Sequence, residues 1–334
     1  MSSLLLPLNA ISHFLVDALC AATVFGPCAA AGDLAAPVLA YNTLAFSTQC
    51  FVGLAADRLR RHAAAASAAM LLIVAGFALP LPAAARIVCI GAGNSVFHVA
   101  GGAMTLERSR GRAGELGVFV APGAVGLALG TLWPRLGPVF AALLALCALA
   151  VVPVEARAEV PSAAAPAKRE TAPLIPVLLT LAVAVRAVGG SAVSFPWKNG
   201  AALSLLTVMC VFAGKTAGGF VCDRLGARRT ALLSIVPAAL LVAFGAQWMA
   251  PSLLGQFALN LTMPVTLWLL YRAMPDAPGF AFGLAASALW PGAIIGRLLT
   301  GPVLWACVLV TFLFGLWAIL YAERKINGWE ETKT

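Results

Sequence analysis

The chain has 334 residues, of which 61% are hydrophobic and only 10% charged, and its mean hydropathy is +0.94. A soluble domain of ordinary composition carries roughly 25% charged residues, so this composition excludes a soluble globular protein. The formal net charge of +9 comes from basic residues scattered through short polar segments, and this distribution does not indicate a nucleic-acid partner.

The apolar residues fall in blocks of about 20, the length a helix needs to cross about 30 Å of hydrocarbon. Pro, Gly and charged residues separate the blocks, as expected for loops between membrane spans. The pattern predicts an all-α membrane protein with twelve transmembrane helices in two pseudo-symmetric six-helix bundles. The predicted spans lie near residues 4–27, 35–56, 64–82, 85–106, 116–133 and 137–154 in the first bundle, and near 173–195, 201–222, 230–249, 251–273, 279–300 and 302–322 in the second.

Residues 155–172 (EARAEVPSAAAPAKRETA) form the only long stretch rich in charge, Pro and Ala. Such a composition is typical of a flexible linker. The predicted organisation is therefore an N-terminal bundle (1–154), a cytoplasmic linker (155–172), and a C-terminal bundle with a short tail (173–334). Twelve spans leave almost no chain for an extramembrane domain, so the function must be performed inside the membrane.

The Lys and Arg residues indicate the orientation. With the N-terminus in the cytoplasm, 16 of the 22 fall in inner loops and the tail, whereas the outer loops hold only Arg135 and Lys198. This asymmetry satisfies the positive-inside rule for short loops. It predicts a multi-pass protein of the cell inner (plasma) membrane with both termini cytoplasmic. The first span contains His13 and Asp17 and has no cleavable-signal pattern.

The eight Cys residues lie in or at the ends of apolar blocks, with no CxxC pair and no metal-ligand spacing. We expect them to be small buried hydrophobes, with no disulfide framework, no metal site and no cofactor. The chain shows no HExxH motif, no phosphate-binding loop and no nucleophile elbow. Neither an enzyme nor an ATP-driven pump is indicated.

A motif of Gly, Asp, Arg and Leu occurs twice, 166 positions apart, in the inner loop after the second helix of each half. Its copies are Gly53-x-x-x-Asp57-Arg58-Leu59 and Gly219-x-x-x-Asp223-Arg224-Leu225. Glycine permits close helix approach, and Asp at a helix end can pair with Arg and engage the N-terminus of a neighbouring helix. The motif predicts a conformational latch on the inner face. The alternative is purely topological, because inner loops carry Arg in any case.

This motif resembles the loop signature G-x-x-x-D-R-x-G-R-R of the major facilitator superfamily. The second copy (GFVCDRLGARR) has Gly226 at the second glycine position, whereas the first copy has Arg60 there. The resemblance covers essentially the whole chain. It implies a secondary transporter that alternates access about a central site between two six-helix halves.

A further set of residues is similar to the fosmidomycin-resistance-like branch of that superfamily. The set comprises His13, Phe14, Asp17 and Pro27 in helix one, Phe97, His98, Gly101 and Gly102 in helix four, Gly123, Gly126 and Gly130 in helix five, and Arg186, Phe195 and Pro196 in helix seven. The chain departs from the branch pattern at Val99 and Thr131, where Pro is common. This likeness slightly favours export over import.

Ionisable groups at bilayer depth are costly, so each is a functional hypothesis. Those within predicted spans are Asp17, Arg86, Arg186, Lys215 and Arg297, together with His13 and His98. The resemblance implies that helices one, four, seven and ten line the central cavity. Near the middle of these helices lie His13 and Asp17, Asn94 and His98, Arg186, and Asn260.

His13 and Asp17 are four residues apart, so they share one helix face and can contact each other. An imidazole titrates near neutrality, and a membrane-buried carboxylate beside it makes the pair a proton-coupling candidate. The alternative is a static bridge that fixes helix one against Arg186 or His98. Both interpretations require the same residues in the same place.

Five residues are predicted to bind the substrate: His98, Asn94, Arg186, Lys215 and Asn260. Three of them have open alternatives. His98 could be an interior histidine bonded to Asn94, Asn260 could join two helices, and Arg186 could pair with Asp17. Arg86 and Arg297 lie near outer span ends, where long basic side chains reach the interface.

The spans hold four Lys or Arg residues against one acid, a balance that favours a small organic anion or zwitterion. The sequence therefore predicts a secondary active transporter, proton-coupled and monomeric, whose partners are a small-molecule substrate, protons and the lipid bilayer. Two other functions remain open. One is a non-transporting sensor or scaffold of the same fold, and the other is a multidrug exporter of neutral or cationic compounds.

Overall fold

The computed structural model describes residues 4–29, 32, 34–109, 111–158, 173–299 and 301–331. Most of the predicted linker, residues 159–172, lies outside the described residues, as does Arg110 of an inner loop. The predicted division at 155–172 stays a prediction for that reason.

The first half of the chain is helical throughout its apolar blocks. Its helices are α1 (Leu5–Thr23), α2 (Ala35–Asn42), α3 (Gln49–Leu59), α4 (His62–Ala78), α5 (Ala83–Arg108), α6 (Gly114–Val120), α7 (Pro122–Leu132) and α8 (Gly137–Ala156). A π-helical turn at Val24–Cys28, containing Pro27, extends α1, and another at Thr43–Ser47 joins α2 to α3. A short 3₁₀ turn precedes α8.

The second half has fewer but longer helices. They are α9 (Leu174–Ala192), α10 (Gly200–Gly245), α11 (Met249–Asn260), α12 (Thr262–Ala273), α13 (Pro278–Leu298) and α14 (Gly301–Glu331). Within α10, Gly226 has φ 81° and ψ 163°, which is not helical. This residue therefore divides α10 into two helical segments.

Helical structure covers most of each of the twelve predicted ranges. Nine helical stretches within the described residues are long and apolar enough to cross a membrane. One of them, α10, covers two predicted spans. The apolar helix α4 has 17 residues and is shorter than these nine stretches. Twelve separate crossings therefore remain a prediction.

The largest differences from the predicted ranges lie at helix ends. α9 stops at Ala192 because Val193 adopts an extended conformation three residues before Pro196. α14 continues to Glu331, well past the predicted end at 322. Its extra turns contain three Glu residues together with Arg324 and Lys325, and all three residue types are good helix formers.

The molecule divides into two compact units. The first comprises Met1–Arg108, Val118–Ser162 and Pro278–Gly283, and the second comprises Ser109–Gly117, Ala163–Ala277 and Leu284–Thr334. Each unit therefore includes one short segment from the opposite half of the sequence. The core of the first unit includes Leu19, Met70 and Phe97, which are fully buried.

Backbone contact at glycines sets the packing of α7 against α1 in the first unit. A Cβ atom added at Gly126 would lie 2.0 Å from the carbonyl oxygen of Phe14, and one at Gly130 would lie 2.1 Å from that of Ala18. No side chain can occupy such a space. The two helices therefore touch backbone to backbone, as small residues allow between membrane helices.

The second unit repeats this arrangement where α13 packs against α9. A Cβ atom at Gly292 would lie 2.2 Å from the carbonyl oxygen of Ala184, and one at Gly296 would lie 2.5 Å from that of Val188. These glycines follow their counterparts on α7 by 166 positions, the same separation as the two loop motifs. The internal repeat therefore extends from the loops into the helix contacts.

Candidate functional site

Asp17 is the centre of a polar cluster inside the first unit. Its Oδ2 atom lies 3.3 Å from His13 Nε2, one helical turn away on α1, and its Oδ1 atom lies 3.7 Å from His98 Nε2 on α5. Asn94, fully buried on α5, donates from Nδ2 to Oδ1 at 3.0 Å. The structure thus brings together four of the residues that the sequence analysis singled out.

The second nitrogen of each imidazole fixes the tautomer. His13 Nδ1 lies 2.7 Å from the Phe119 carbonyl oxygen, and His98 Nδ1 lies 2.9 Å from the carbonyl oxygen of Asn94. Because a carbonyl only accepts, Nδ1 carries the hydrogen in both rings. In a neutral ring the Nε2 atom then presents a lone pair, and both Nε2 atoms face the Asp17 carboxylate.

Two lone pairs directed at a carboxylate repel it, so an additional proton on one of these three groups makes the arrangement more favourable. A proton on His13 Nε2 or on the carboxyl group allows a hydrogen bond across the 3.3 Å contact, and a proton on His98 Nε2 makes the 3.7 Å contact an ion pair. The rings of His13 and His98 lie 4.4 Å apart at an interplanar angle of 84°, so one proton can serve either histidine.

Sequence reasoning missed two members of this cluster. The Tyr41 hydroxyl accepts a hydrogen bond from Asn94 Nδ2 at 3.0 Å. A Cβ atom at Gly123 would lie 2.4 Å from both Asp17 Oδ2 and His13 Nε2, so only glycine leaves room for the pair. Tyr41 is uncharged, and Gly123 carried only a family resemblance, so neither gave a signal of this role.

Cys20 lies beside this cluster in the interior of the first unit. Cys20 is fully buried, and its thiol donates a weak hydrogen bond to the carbonyl oxygen of Ile90 on α5, with a separation of 3.7 Å. The Asn94 amide lies 3.9 Å from the same sulfur. Cys20 therefore sits at the contact between α1 and α5, one turn beyond Asp17.

Three side chains of the cluster offer atoms of the kinds that hold metals. The ligand atoms of His13, Asp17 and His98 all lie within 4.8 Å of one another. Two imidazoles and one carboxylate suit a divalent transition metal, whereas the sequence analysis predicted no metal site. A proton satisfies the same lone pairs without a metal, so the two occupants need an experimental distinction.

Arg186 occupies a separate place in the second unit, on α9. Its guanidinium contacts Thr262 Oγ1 at 3.5 Å and the sulfur of Met263 at 2.7 Å. Within its own unit, the described residues offer it no carboxylate within 4.0 Å. A cation held this way has polar neighbours but no counter-charge, and an anionic ligand would supply one.

The cavity beside Arg186 is small. Its volume is about 20 Å³, and its walls include Thr266, Thr311 and Phe312. This is room for about one water molecule. An organic anion would therefore need the walls to separate before it could reach the guanidinium.

The other two predicted substrate contacts do not line this cavity. Asn260 donates from Nδ2 to the carbonyl oxygen of Gln256 in its own helix, and its Cβ packs close to Gly214. The amide therefore bonds within α11, and both interpretations of Asn260 stay predictions. Lys215 belongs to α10, where its carbonyl oxygen packs against Gly117.

Asp57 of the first loop motif caps a helix. Its two carboxylate oxygens accept hydrogen bonds from the backbone N–H groups of Gly279 and Phe280, at 2.7 and 2.8 Å. These N–H groups open α13, whose own capping residue, Ala277, provides no side-chain hydrogen bond. The motif glycine, Gly53, leaves room for this turn, since its Cβ atom would lie 2.4 Å from the Gly279 carbonyl oxygen.

Asp223 of the second motif does the same within the second unit. Its oxygens accept hydrogen bonds from the N–H groups of Ala113 and Gly114, at 2.6 and 2.9 Å, where α6 begins. Gly219 lies against this turn just as Gly53 lies against the other. The bonded N–H groups of the two copies are again 166 positions apart. Each Asp is thus a charged acceptor at a helix N-terminus, where the helix dipole favours negative charge.

The arginines of the two motifs behave differently from the prediction. Arg58 and Arg224 are exposed, and neither forms an ion pair among the described residues. The residues that follow the motif, Arg60 and Gly226, share an unusual backbone instead. Both have positive φ, 50° for Arg60 and 81° for Gly226.

Arg86 ends α4. Its guanidinium donates to the carbonyl oxygens of Gly76, Phe77 and Leu81 at distances of 3.0, 2.5 and 2.9 Å. Those carbonyls belong to the end of α4 and the loop after it, where the helix leaves acceptors unpaired. Arg297 is exposed in the last turn of α13. Both positions suit a structural role for these basic residues.

No protein-family model matches the chain, and no curated protein matches it. Among solved structures, a variant of the E. coli fucose:proton symporter FucP superposes with a TM-score of 0.67 at 14% identity, covering 96% of this chain and 97% of that chain. A structure described as a major facilitator superfamily transporter, FucP, in the outward conformation superposes with a TM-score of 0.66 at 15% identity, covering 96% and 98%. The likeness to the fosmidomycin-resistance-like branch stays a prediction. At these identities the similarity shows the fold, and the chain has the fold of major facilitator superfamily transporters.

Proposed function

We propose that the protein is a proton-coupled secondary active transporter of a small organic anion or zwitterion. The observation that carries this proposal is the buried cluster of Asp17, His13 and His98, in which both Nε2 atoms lie within 4 Å of one carboxylate and both Nδ1 atoms are bonded to backbone carbonyls. The fold, and the similarity to a protein described as a fucose:proton symporter, support a transport cycle driven by protons. The branch likeness slightly favours export.

In this proposal the proton belongs to the whole cluster, with Asp17 as its acidic centre. Asn94 donates a hydrogen bond to Oδ1, the carboxylate oxygen that His98 faces, and it donates another to the Tyr41 hydroxyl. A proton arriving at either imidazole can pass to the carboxylate over a distance shorter than 4 Å. His98 thereby changes from a predicted substrate contact to a member of the proton site.

Arg186 is the proposed anchor for the anion. It is a cation without a described carboxylate in its unit, and the hydroxyls of Thr262, Thr266 and Thr311 surround the adjacent cavity. A carboxylate or phosphonate would replace the weak contact to Met263 with bidentate hydrogen bonds. Because the cavity is small, we infer that binding accompanies a rearrangement of its walls.

The caps formed by Asp57 and Asp223 are the proposed latches. Each makes two charge-assisted hydrogen bonds to the start of another helix, so each stabilises the conformation in which that helix start is engaged. Release of the caps would accompany the change of access. The two latches are alike in geometry, so we expect them to act at equal strength.

The substrate class can be tested with the purified protein. A thermal-shift screen would compare monocarboxylates, dicarboxylates, phosphonates, amino acids, neutral sugars and lipophilic cations. We expect an anion or zwitterion to stabilise the wild type, and Arg186→Gln to lose that stabilisation, while the control Arg297→Gln keeps it. Stabilisation by a lipophilic cation alone would support the multidrug alternative and contradict the anion site.

Coupling can be tested in proteoliposomes with the compound identified in that screen. Asp17→Asn should abolish accumulation driven by a pH gradient while leaving counterflow, because exchange without net proton movement needs no titrating group. Asp276→Asn, which changes a carboxylate between α12 and α13, is the matched control. If Asp17→Asn still accumulates the compound, Asp17 is not the proton carrier, and the interpretation of the pair as a static bridge takes its place.

Two other outcomes separate the remaining interpretations. If wild-type transport stops on addition of a chelator and returns with a divalent metal, the cluster holds a metal and the proton assignment is wrong. If every stabilising compound fails to move in either direction, with or without a pH gradient, the protein is a sensor or scaffold.

A further inference from the structure

A basic cleft opens in the second unit, between the second helical segment of α10 and the C-terminal turns of α14. Its volume is about 830 Å³, and its walls carry Arg228, Arg229 and Arg324. A second cleft of about 520 Å³, lined by Tyr321, Arg324 and Lys325, adjoins it, since Arg324 belongs to both. This feature plays no part in the transport proposal.

The charge of the cleft is poorly balanced. Glu323 is the one acid in its walls, against three guanidinium groups. Among the described residues, none of these four side chains forms an ion pair within 4.0 Å. The ammonium group of Lys325 lies over the Tyr321 ring, 5.9 Å from its centre. Arginines gathered without counter-charge are suited to a ligand with several anionic oxygens, such as a phosphate group.

The cleft also has an apolar wall. Leu225 and Leu232 line it and are 40% and 39% exposed. Exposed apolar side chains continue from there along α10, at Leu233, Val236 and Leu240. The surface therefore changes from basic to apolar over a few helical turns. A soluble phosphate would use only the basic part of it.

We propose that this cleft binds the phosphate headgroup of an anionic phospholipid, with an acyl chain lying along the exposed apolar face of α10. Basic pockets between membrane helices at the cytoplasmic side are suited to such headgroups, because the phosphate meets arginine where the chains meet apolar side chains. The sequence-based orientation assigns the start of the second α10 segment to the cytoplasmic side. The lipid would join the two helices that form the cleft.

The test uses the full-length, delipidated protein in neutral detergent. Its thermal unfolding is measured with added phosphatidylglycerol or cardiolipin, with phosphatidylcholine, and with inorganic phosphate or glycerol phosphate. We expect the anionic lipids to raise the unfolding temperature, phosphatidylcholine to do so far less, and the soluble phosphates to have no effect at the same concentration. The anionic-lipid effect should weaken at high salt.

Paired variants locate the site. Arg228→Gln combined with Arg324→Gln should lower the apparent affinity for phosphatidylglycerol about tenfold or more. Arg61→Gln combined with Arg157→Gln removes the same charge from exposed arginines elsewhere on the predicted cytoplasmic side and should leave the affinity unchanged. Glu323→Gln, which removes the only acid of the cleft, should increase the affinity, and this result holds even if the double variant folds poorly.

Three results would overturn the proposal. Equal stabilisation by phosphatidylcholine would show that the headgroup charge is irrelevant. A full effect of inorganic or glycerol phosphate would assign the cleft to a soluble phosphate. Equal losses in the two double variants, with no gain in Glu323→Gln, would mean that only the general surface charge attracts the lipid.

Discussion

In the first unit, α7 packs against α1 with Gly126 next to the carbonyl oxygen of Phe14. In the second unit, α13 packs against α9 with Gly292 next to the carbonyl oxygen of Ala184. The contacts are the same, yet the side chains around them differ. The two carbonyls lie 170 positions apart. By that offset, Val183 and Ala187 occupy the places that His13 and Asp17 hold in the first unit.

Arg186 shows the same divergence in the other direction, because its counterpart in the first unit is Val16. The repeat thus preserves the glycines that allow backbone contact and the Asp caps, while the buried ionisable groups belong to one unit each. The physical reason is that a contact in which an added Cβ would lie 2.0 Å from a backbone oxygen admits no side chain, whereas a cavity wall admits any residue whose polar atoms are satisfied. The scaffold is duplicated, and the chemistry is divided between the units.

The largest expected effect tests whether the glycine contacts between helices are equally important in the two units. Gly126→Ala and Gly292→Ala should each destabilise the protein by about 3 kcal/mol, because the new methyl group would meet backbone atoms that cannot move aside. The measurement is the unfolding transition in mixed micelles. Gly315→Ala, where nothing lies within 4 Å of the added atom, is the control and should be neutral or slightly stabilising. A large loss in only one of the pair would break the comparison.

The next effect concerns the residue after the second loop motif. Gly226 has φ 81° and ψ 163°, a conformation open almost only to glycine, so Gly226→Ala should cost about 2 kcal/mol. The same unfolding measurement checks this value. Gly328→Ala, in a position with free space around the glycine, serves as the reference, and equal stability of the two variants would contradict the strain argument.

Mutation of one Asp cap should affect only the helix that it caps. Asp57→Asn replaces one accepting oxygen with an amide nitrogen, which cannot accept a hydrogen bond, at a cost of about 1.5 kcal/mol for a charge-assisted bond. Hydrogen exchange at Gly279 and Phe280 should then accelerate about tenfold, with no change at Ala113 and Gly114.

Asp223→Asn should give the reciprocal pattern, with faster exchange at Ala113 and Gly114 only. Measuring both variants by exchange mass spectrometry sharpens the comparison between the units. If neither variant changes exchange at its own helix start, the motif is only topological and the latch proposal falls.

The smallest expected effect is a gain in stability. Arg60 occupies the position equivalent to Gly226 but adopts the left-handed helical region, with φ 50° and ψ 34°. Arg60→Gly should therefore stabilise the protein by about 1 kcal/mol, since glycine adopts this region without a steric cost. Arg61→Gly, at a residue with negative φ, should not stabilise. A loss of stability in Arg60→Gly would mean that the arginine side chain makes a contribution of its own.

The sequence was sufficient to predict the helical architecture and the polar centre. Asp17 and His13 stood out because charge is costly inside an apolar block, and their spacing placed them on one face. Asp57 and Asp223 stood out because the motif recurs. Each of these signals lies within a short stretch of chain.

The partners of those residues were not predictable in the same way. Asp57 binds N–H groups more than 200 positions away, and any residue type can provide a backbone N–H. Tyr41 joins the cluster through an uncharged hydroxyl. Lys215 and Asn260 do not line the cavity beside Arg186, and sequence periodicity alone does not determine which face of a helix lines a cavity.

The burial of Cys20 provides the molecule with an intrinsic chemical reporter. Its sulfur is buried between α1 and α5, next to the Asp17 cluster, so a maleimide can reach it only while those helices are apart. The modified peptide can be identified by mass, which distinguishes this thiol from the other free cysteines of the described residues. Alkylation rates at Cys20 would therefore time the opening of the site in the wild-type chain, with no engineered label.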